Sequence, residues 1–326
     1  MAFPSSISDI IATTIQQRSG VIADNVTKNN ALLAYLEKAG NIKKFSGGNT
    51  ILEELSFAEN GNASWYSGYE TLPVAAQDVI SAAEYQIKQC AVPVTVSGLE
   101  QLQNAGKEQI IDLLEARIAV AESTMANLIA AGLYADGTGY GGKEITGLAA
   151  QVADTPTNVV GGIDRNTAIG AFWKNKAVDA STYLGGATTS LNIQQLFNGM
   201  WSQLVRGQDR PKLIVVDNEY WAMYVASLQA IQRFSSTSEA NLGFVSLKFM
   251  DADVVLDGGV GGFMGSKTAY FLNTKYLKYR PHAARNMVPL SPGKRYSVNQ
   301  DAEVQILAWA GNLTSSNLSL QGKIKE

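Results

Sequence analysis

The apolar positions of Ser97–Leu133 follow a helical rhythm. Ile110, Leu114, Ile118, Ala121, Met125 and Leu128 recur at three- and four-residue steps, which is one face of an α-helix. Ser97, with Glu100 three residues on, has the pattern of a capping box, and Gly132 is placed to close the end. Gly106 weakens the first turns, so the firm part is expected over Lys107–Ala131. At about 1.5 Å per residue this is a rod of roughly 35–50 Å. Glu108, Asp112, Glu115 and Glu122, with Arg117 among them, mark a wet side, so the rod is expected to lie with one face down.

Upstream, Ile7, Ile10, Ile11 and Ile15 fit a short amphipathic helix, and Asn30–Ala39 a second one stopped by Gly40. Two such pieces have little to bury against each other, so residues 1–44 read as an arm that needs a larger body. A two-residue period then takes over. Ile51, Glu53, Leu55 and Phe57 alternate with Leu52, Glu54 and Ser56. A polar tip follows (Asn60, Gly61, Asn62), then a return arm over Ser81–Val96, in which Pro93 restricts the strand to an edge or an end. A lone two-stranded ribbon is marginal in water, so this one is expected to rest on something.

Beyond the long helix comes a Gly-rich turn, then Ala168–Tyr183, strand-like without clean alternation. Ser190–Val205 is helical, with Ile193, Leu196, Phe197, Met200 and Leu204 on one side. Lys212–Asp217 is a short buried strand, Asn218–Phe234 a helix, and Phe244–Leu256, Ala269–Tyr279 and Glu303–Leu320 are strands. This order is an α+β pattern.

Charge changes the picture most. From Ser46 to Ile87 there are six acids (Glu53, Glu54, Glu59, Glu70, Asp78, Glu84) and no Lys or Arg. From Gly258 to Gln300 there are seven bases (Lys267, Lys275, Lys278, Arg280, Arg285, Lys294, Arg295) and no acid. Two opposite runs of near-equal size favour a meeting, within or between subunits. The expected contact residues between subunits are Glu53, Glu54, Glu59, Glu70, Lys275, Lys278, Arg280, Arg285, Lys294 and Arg295. Charged residues are 17% of the 326, against about 25% in ordinary soluble domains, which suggests a surface covered by neighbours. A net charge of −3 argues against a face built to grip phosphates. The single cysteine, Cys90, excludes an intrachain disulfide and suits a reducing compartment; the single histidine, His282, rules out a His-paired metal site. The N-terminus lacks the pattern of a signal peptide, and no stretch has the length of a membrane span.

Gly137–Lys143 (GTGYGGK) satisfies G-x-G-x-x-G and nearly satisfies a phosphate-cradling loop. It follows a helix where those motifs require a strand, and Glu144 stands where a Ser or Thr must hold Mg²⁺. A plain turn is the expected reading. Gly258–Gly265 reads as a loop tip. Asp251, Asp253 and Asp257 read as a solvated strand edge rather than a Ca²⁺ site, His282 as part of a basic loop, and Cys90 as a packed side chain. No catalytic, cofactor-binding or metal-ligating residue is assigned.

The order of parts resembles the major capsid proteins of tailed bacteriophages. AEYQIKQCAVPVTVSGLEQLQNAG, running from ribbon into helix, is similar to that family's junction; YADGTG followed by ITGL resembles the turn after its spine helix; VNQDAEVQILAWAGNLTSSNLSLQGKI resembles its closing strand. The resemblance implies an N-terminal arm (1–44), an extended β-hairpin loop (45–92), a peripheral domain (93–189) with the spine helix at 97–133, an axial domain (190–290) and a return to the peripheral domain (291–326). It implies a non-enzymatic, cofactor-free subunit that self-assembles into pentamers and hexamers. These would form an icosahedral shell around double-stranded DNA, in a virion assembled in the host cytoplasm, with no membrane partner and no sequence-specific nucleic-acid binding. A portal and a separate scaffolding protein, or prior removal of an N-terminal scaffolding segment, are implied, and whether a cement or decoration protein is added is left open. Some relatives cross-link through a lysine on the extended loop; none lies between Ser46 and Ile87 here. An encapsulin-like compartment shell, which shares the fold, and a P-loop-like nucleotide enzyme are the competing readings.

Overall fold

The run Leu213–Val216 is apolar at every position because it is covered on both faces. Leu213 and Val215 belong to one core, Ile214 and Val216 to another, as a period of two dictates. The computed structural model describes residues 31–98, 107–229, 246–258, 262–290, 295–296 and 302–326.

In chain order the helices are α1 (Ala31–Lys38), α2 (Lys107–Tyr134), α3 (Ile193–Leu204) and α4 (Asn218–Gln229), with shorter turns between them. The strands are β1 (Thr50–Ser56), β2 (Ile80–Gln86), β3 (Lys88–Ser97), β4 (Lys176–Asp179), β5 (Leu213–Val216), β6 (Ser246–Phe249) and β7 (Ala252–Leu256). They continue with β8 (Thr268–Leu272), β9 (Leu277–Pro281), β10 (Val288–Pro289), β11 (Arg295–Tyr296), β12 (Ala302–Ser315) and β13 (Gly322–Lys325). One sheet has six strands in the order β4-β13-β8-β5-β7-β6. The second is built on β12, which pairs with β3 along one side and with β9, β10 and β11 along the other. Pro93 sits in β3, at the edge, opposite Ile306.

One face of the six-stranded sheet is covered by α3 and α4. Ile193, Leu196, Phe197, Met200 and Leu204 are all buried there, with Phe197 packed on Tyr224, Phe249 and Phe271. The other face meets α1 and α2, which also cover residues of the second sheet, including Leu307, Trp309 and Leu313. Of the anticipated stripe on α2, Ile118, Ala121 and Met125 are buried and Leu128 is half-buried. Ile110 and Leu114 lie outside the residues whose side chains are described, as do Glu108, Asp112 and Glu115.

Several expectations are corrected. Ser97 is the last residue of β3, paired with Ala302, and a helical residue, Gly98, follows it directly; Glu100 lies outside the described residues. Gly132 is inside α2, where a Cβ would come 3.1 Å from Ile145 Cδ1, so it serves close packing and not termination. Glu122, expected on the wet side, is buried. The segment 168–183 holds a 3₁₀ turn, β4 and a short helix. The stretch 269–279 breaks at Asn273–Tyr276 into β8 and β9, which join different sheets. The closing strand stops at Ser315, and the unforeseen β13 crosses to the six-stranded sheet. Residue 290 therefore does not divide the sheets, and Lys88–Val92 belongs to a body strand, not to the ribbon. Asp253 and Asp257 are no solvated edge. Asp253 lies 2.9 Å from Lys248 Nζ and accepts from Tyr35 Oη at 3.2 Å; Asp257 accepts from the Tyr134 hydroxyl, and burial raises its carboxyl. The arm helix expected at Ile7–Ile15 lies outside the described residues.

Candidate inter-subunit surface

The ribbon β1–β2 carries two environments along one strand pair. Its register sets Ile51 opposite Tyr85, Glu53 opposite Ala83 and Leu55 opposite Ser81. Ile51, Glu53, Leu55, Ala83 and Tyr85 point one way and are buried; Leu52, Glu54 and Glu84 point the other way and are exposed. The buried face rests on the chain's own body, against Val160, Trp173 and Leu318. Tyr85 Oη donates to Ser315 O at 3.1 Å and accepts from Ser315 N at 3.2 Å, and burial raises its phenol well above the usual range. Glu84 N donates to Gly161 O at 2.9 Å. Gly161 has φ 61°, and a Cβ there would come within 2.9 Å of Ala83 Cβ, so this approach requires glycine.

Glu53 is 4% exposed and forms the centre of a charged clamp. Its Oε2 is 2.7 Å from Lys278 Nζ, its Oε1 is 2.8 Å from Arg280 Nη1, and Thr314 Oγ1 donates to Oε1 at 3.0 Å. The acidic and basic runs thus meet here, but within one chain. Glu53, Lys278 and Arg280 were expected as contacts between subunits. The alternation explains this pairing within the chain: Glu53 shares its face with Ile51 and Leu55, so it is carried inward with them.

The tip is different. From Ala58 to Asp78 every residue except Asn62 is exposed, including Trp65, Tyr66, Tyr69, Leu72 and Val74. Its shape is held by local hydrogen bonds: Asn62 Nδ2 to Ala75 O at 2.5 Å, Asn62 N to Asn60 Oδ1 at 3.0 Å, and Ser67 N to Glu70 Oε2 at 3.0 Å. Glu59, Glu70 and Asp78 sit among these apolar side chains. Five large apolar groups on one protruding loop form the kind of patch that marks an interaction site.

The remaining predicted residues scatter. Lys275 Nζ is 3.0 Å from Asp209, and Arg285 Nη1 donates to Gln89 Oε1 at 3.0 Å. Arg295 is in β11, paired with Val304, and Lys294 lies outside the described residues. Glu54, Glu59 and Glu70 are at the surface. Gly137–Lys143 forms a turn after α2, with Gly137, Tyr140, Gly141 and Gly142 all at positive φ. His282 packs edge-on against Phe45, and its Nδ1 accepts from Ala284 N at 3.1 Å. Cys90 lies 3.2 Å from Met125 Sδ, and burial pushes its thiol up to about 11, as befits a packed side chain. Among the described residues no cluster of His, Cys, Asp and Glu is arranged to hold a metal, and no helix is long and apolar enough to cross a membrane.

Two residues essential to the ribbon's seat were missed. Arg165 is fully buried, and its guanidinium donates to Ala150 O (2.7 Å), Gln151 O (2.8 Å), Asn175 Oδ1 (2.9 Å), Asn158 O (3.2 Å) and Asn158 Oδ1. It ties down the irregular segment that presents Val160 and Trp173, whose indole donates to Val160 O at 3.0 Å. The elements of this segment, the two-residue strands Val159–Val160 and Ile163–Asp164 and the 3₁₀ turn Ile169–Trp173, are too short for a period to be read; a lone Arg between Asp164 and Asn166 looks like surface.

No protein-family model and no curated protein matches the sequence. Solved structures do match the fold. A cyanophage A-1(L) capsid asymmetric unit aligns over 88% of this chain and 90% of that one, with a TM-score of 0.64 at 16% identity. The capsid of a native GTA particle aligns over 89% of each chain, with a TM-score of 0.57 at 12% identity. The fold of this chain is therefore that of the tailed-phage capsid proteins.

Proposed function

We propose that this chain is a major capsid protein, a structural subunit that self-assembles into the closed shell enclosing packaged double-stranded DNA. The observation that carries this reading is the ribbon tip. On a chain with a capsid fold, Trp65, Tyr66, Tyr69, Leu72 and Val74 stand exposed on a loop whose root is firmly seated. Each such side chain is worth about 1.5–3 kcal/mol when fully buried, and its own chain provides no cover. A neighbouring copy supplies that cover repeatedly in a shell, so modest single contacts add up over a closed array. A net charge of −3 suits a container that must not trap its DNA. Pentamers and hexamers as building units, a separate scaffolding protein, a portal and assembly in the host cytoplasm belong to the same proposal, as does the absence of enzymatic activity. Negative-stain imaging of the expressed chain, alone and with a co-expressed scaffolding protein, tests the proposal. Rings, tubes or shells are expected. Uniform single subunits under both conditions at high concentration would overturn it.

A further inference from the structure

A recess of about 270 Å³ opens between β3, the C-terminal half of α2 and the Gly-rich turn. Its floor is apolar, made by Cys90, Leu128, Ile129 and Trp309. Its rim carries Lys88, Tyr140 and Lys143, with Glu144 beside them. Lys88 Nζ donates to Gly142 O at 2.5 Å, which ties the turn to the strand and holds the mouth in shape.

Tyr140 is the unusual part of this rim. It has φ 54°, in the left-handed region where a side chain is disfavoured, yet Gly141 and Gly142 beside it also have positive φ. A glycine at 140 would relieve the backbone. Instead a tyrosine, 74% exposed as a residue, is held there at the mouth of an apolar recess. A side chain held at this position and facing solvent is open to contact from outside its own chain.

We propose that this recess is the socket for the ribbon tip of a second copy of the chain, with the Trp65 indole as the inserted group. Complementarity is of two kinds. The floor is apolar, and Trp65 is the largest of the tip's exposed apolar side chains. The rim carries two lysines against one acid, Glu144, and the tip carries Glu59, Glu70 and Asp78 with no base. The chain's own tip does not fill the recess, since its Trp65 is fully exposed. An anchoring aromatic in an apolar pocket with charges at the rim is the usual composition of an interface hot spot.

The inference rests on the shell reading and goes further by naming the socket. Its test uses cross-linking in assembled particles. Two chains, both keeping Trp65 and Cys90, bear Ser64→Cys, beside the anchor, and Lys143→Cys, at the rim, respectively. They are co-assembled with an excess of the unaltered chain and treated with a mild oxidant. Covalent dimers are expected, well above the yield when Lys176→Cys, an exposed position on β4, replaces Lys143→Cys. In parallel, Trp65→Ala is expected to raise the concentration needed for assembly by about 30-fold or more, the size of a hot-spot truncation. Shells that form with dimer yields no higher than the control would overturn the socket and leave the shell reading intact. Failure of the unmodified chain to form any assembly would remove both.

Discussion

The root and the tip of the β1–β2 ribbon share one strand pair, one sign of charge and one alternating pattern, yet they reach opposite ends. At the root, Glu53 is neutralised by Lys278 and Arg280, and Ile51, Leu55 and Tyr85 are buried on Val160 and Trp173. At the tip, acids and large apolar groups stand together in solvent. The difference separates contacts that belong to folding from surface that the proposed shell would use. A ribbon that is marginal by itself is fixed at one end by its own chain, while the other end has no cover. The ribbon expected to rest on something rests at its root on its own chain, and the tip is the part left without cover.

The sharpest break of this comparison is to remove the tip's apolar surface. Replacing Trp65, Tyr66, Tyr69, Leu72 and Val74 together by Ser is expected to abolish assembly. The folded subunit should lose little, because surface substitutions away from packed features stay within about 0.5 kcal/mol each. Thermal unfolding of the isolated subunit, read beside particle counts, checks both halves. A large loss of subunit stability would mean that the tip packs on its own chain in solution.

Two neighbouring glutamates divide root from tip charge more finely. Glu53→Lys puts a third cation into the clamp with Lys278 and Arg280, and is expected to destabilise the subunit by about 3–5 kcal/mol, the range for breaking a buried pair. Glu54→Lys, one residue on but facing out, should leave stability within about 0.5 kcal/mol. It should slow assembly in a salt-dependent way if the outer face is steered to a neighbour. Denaturant titrations of both variants decide; equal effects would erase the distinction between the two faces.

Much of this arrangement was legible in the sequence, because it is periodic. The Ile51/Glu53/Leu55 alternation, the α2 stripe and the all-apolar Leu213–Val216 are local patterns with local physical causes. The inward orientation of Glu53 was in that alternation too; weighing its charge as part of a run obscured it. What could not be read were partners distant in sequence. Nothing near Tyr85 announces Ser315, and nothing near Arg165 announces that Ala150, Gln151, Asn158 and Asn175 will turn their oxygens toward it. The socket failed to register for the same reason. Cys90, Leu128 and Trp309 are brought together only by the pairing of β3 with β12 under α2.

The smallest expected effect concerns a base that the ribbon does not use. Lys275 was grouped with the cations awaiting the acidic tip, but it sits 3.0 Å from Asp209, which also accepts from Tyr276 Oη at 2.7 Å. Hydrogen bonds from Tyr276 and then Lys275 hold the Asp209 carboxyl down to about 2. An unfolded aspartate titrates near 3.9, so the folded value is the lower one. Asp209 therefore contributes stability that is fully present above about pH 4 and is lost as the pH falls toward about 2. Surface screening limits that contribution to about 1 kcal/mol or less. Asp209→Asn should accordingly lower subunit stability slightly at neutral pH, with the gap to the parent chain closing as the pH is taken below about 4. Urea midpoints across that window measure it. Assembly should be unaffected, because in the folded chain Lys275 already has its partner. If freeing Lys275 instead alters assembly and its salt dependence, this base belongs with the tip's targets, and the division between charges used in folding and charges kept for a neighbour has to be redrawn at Asp209.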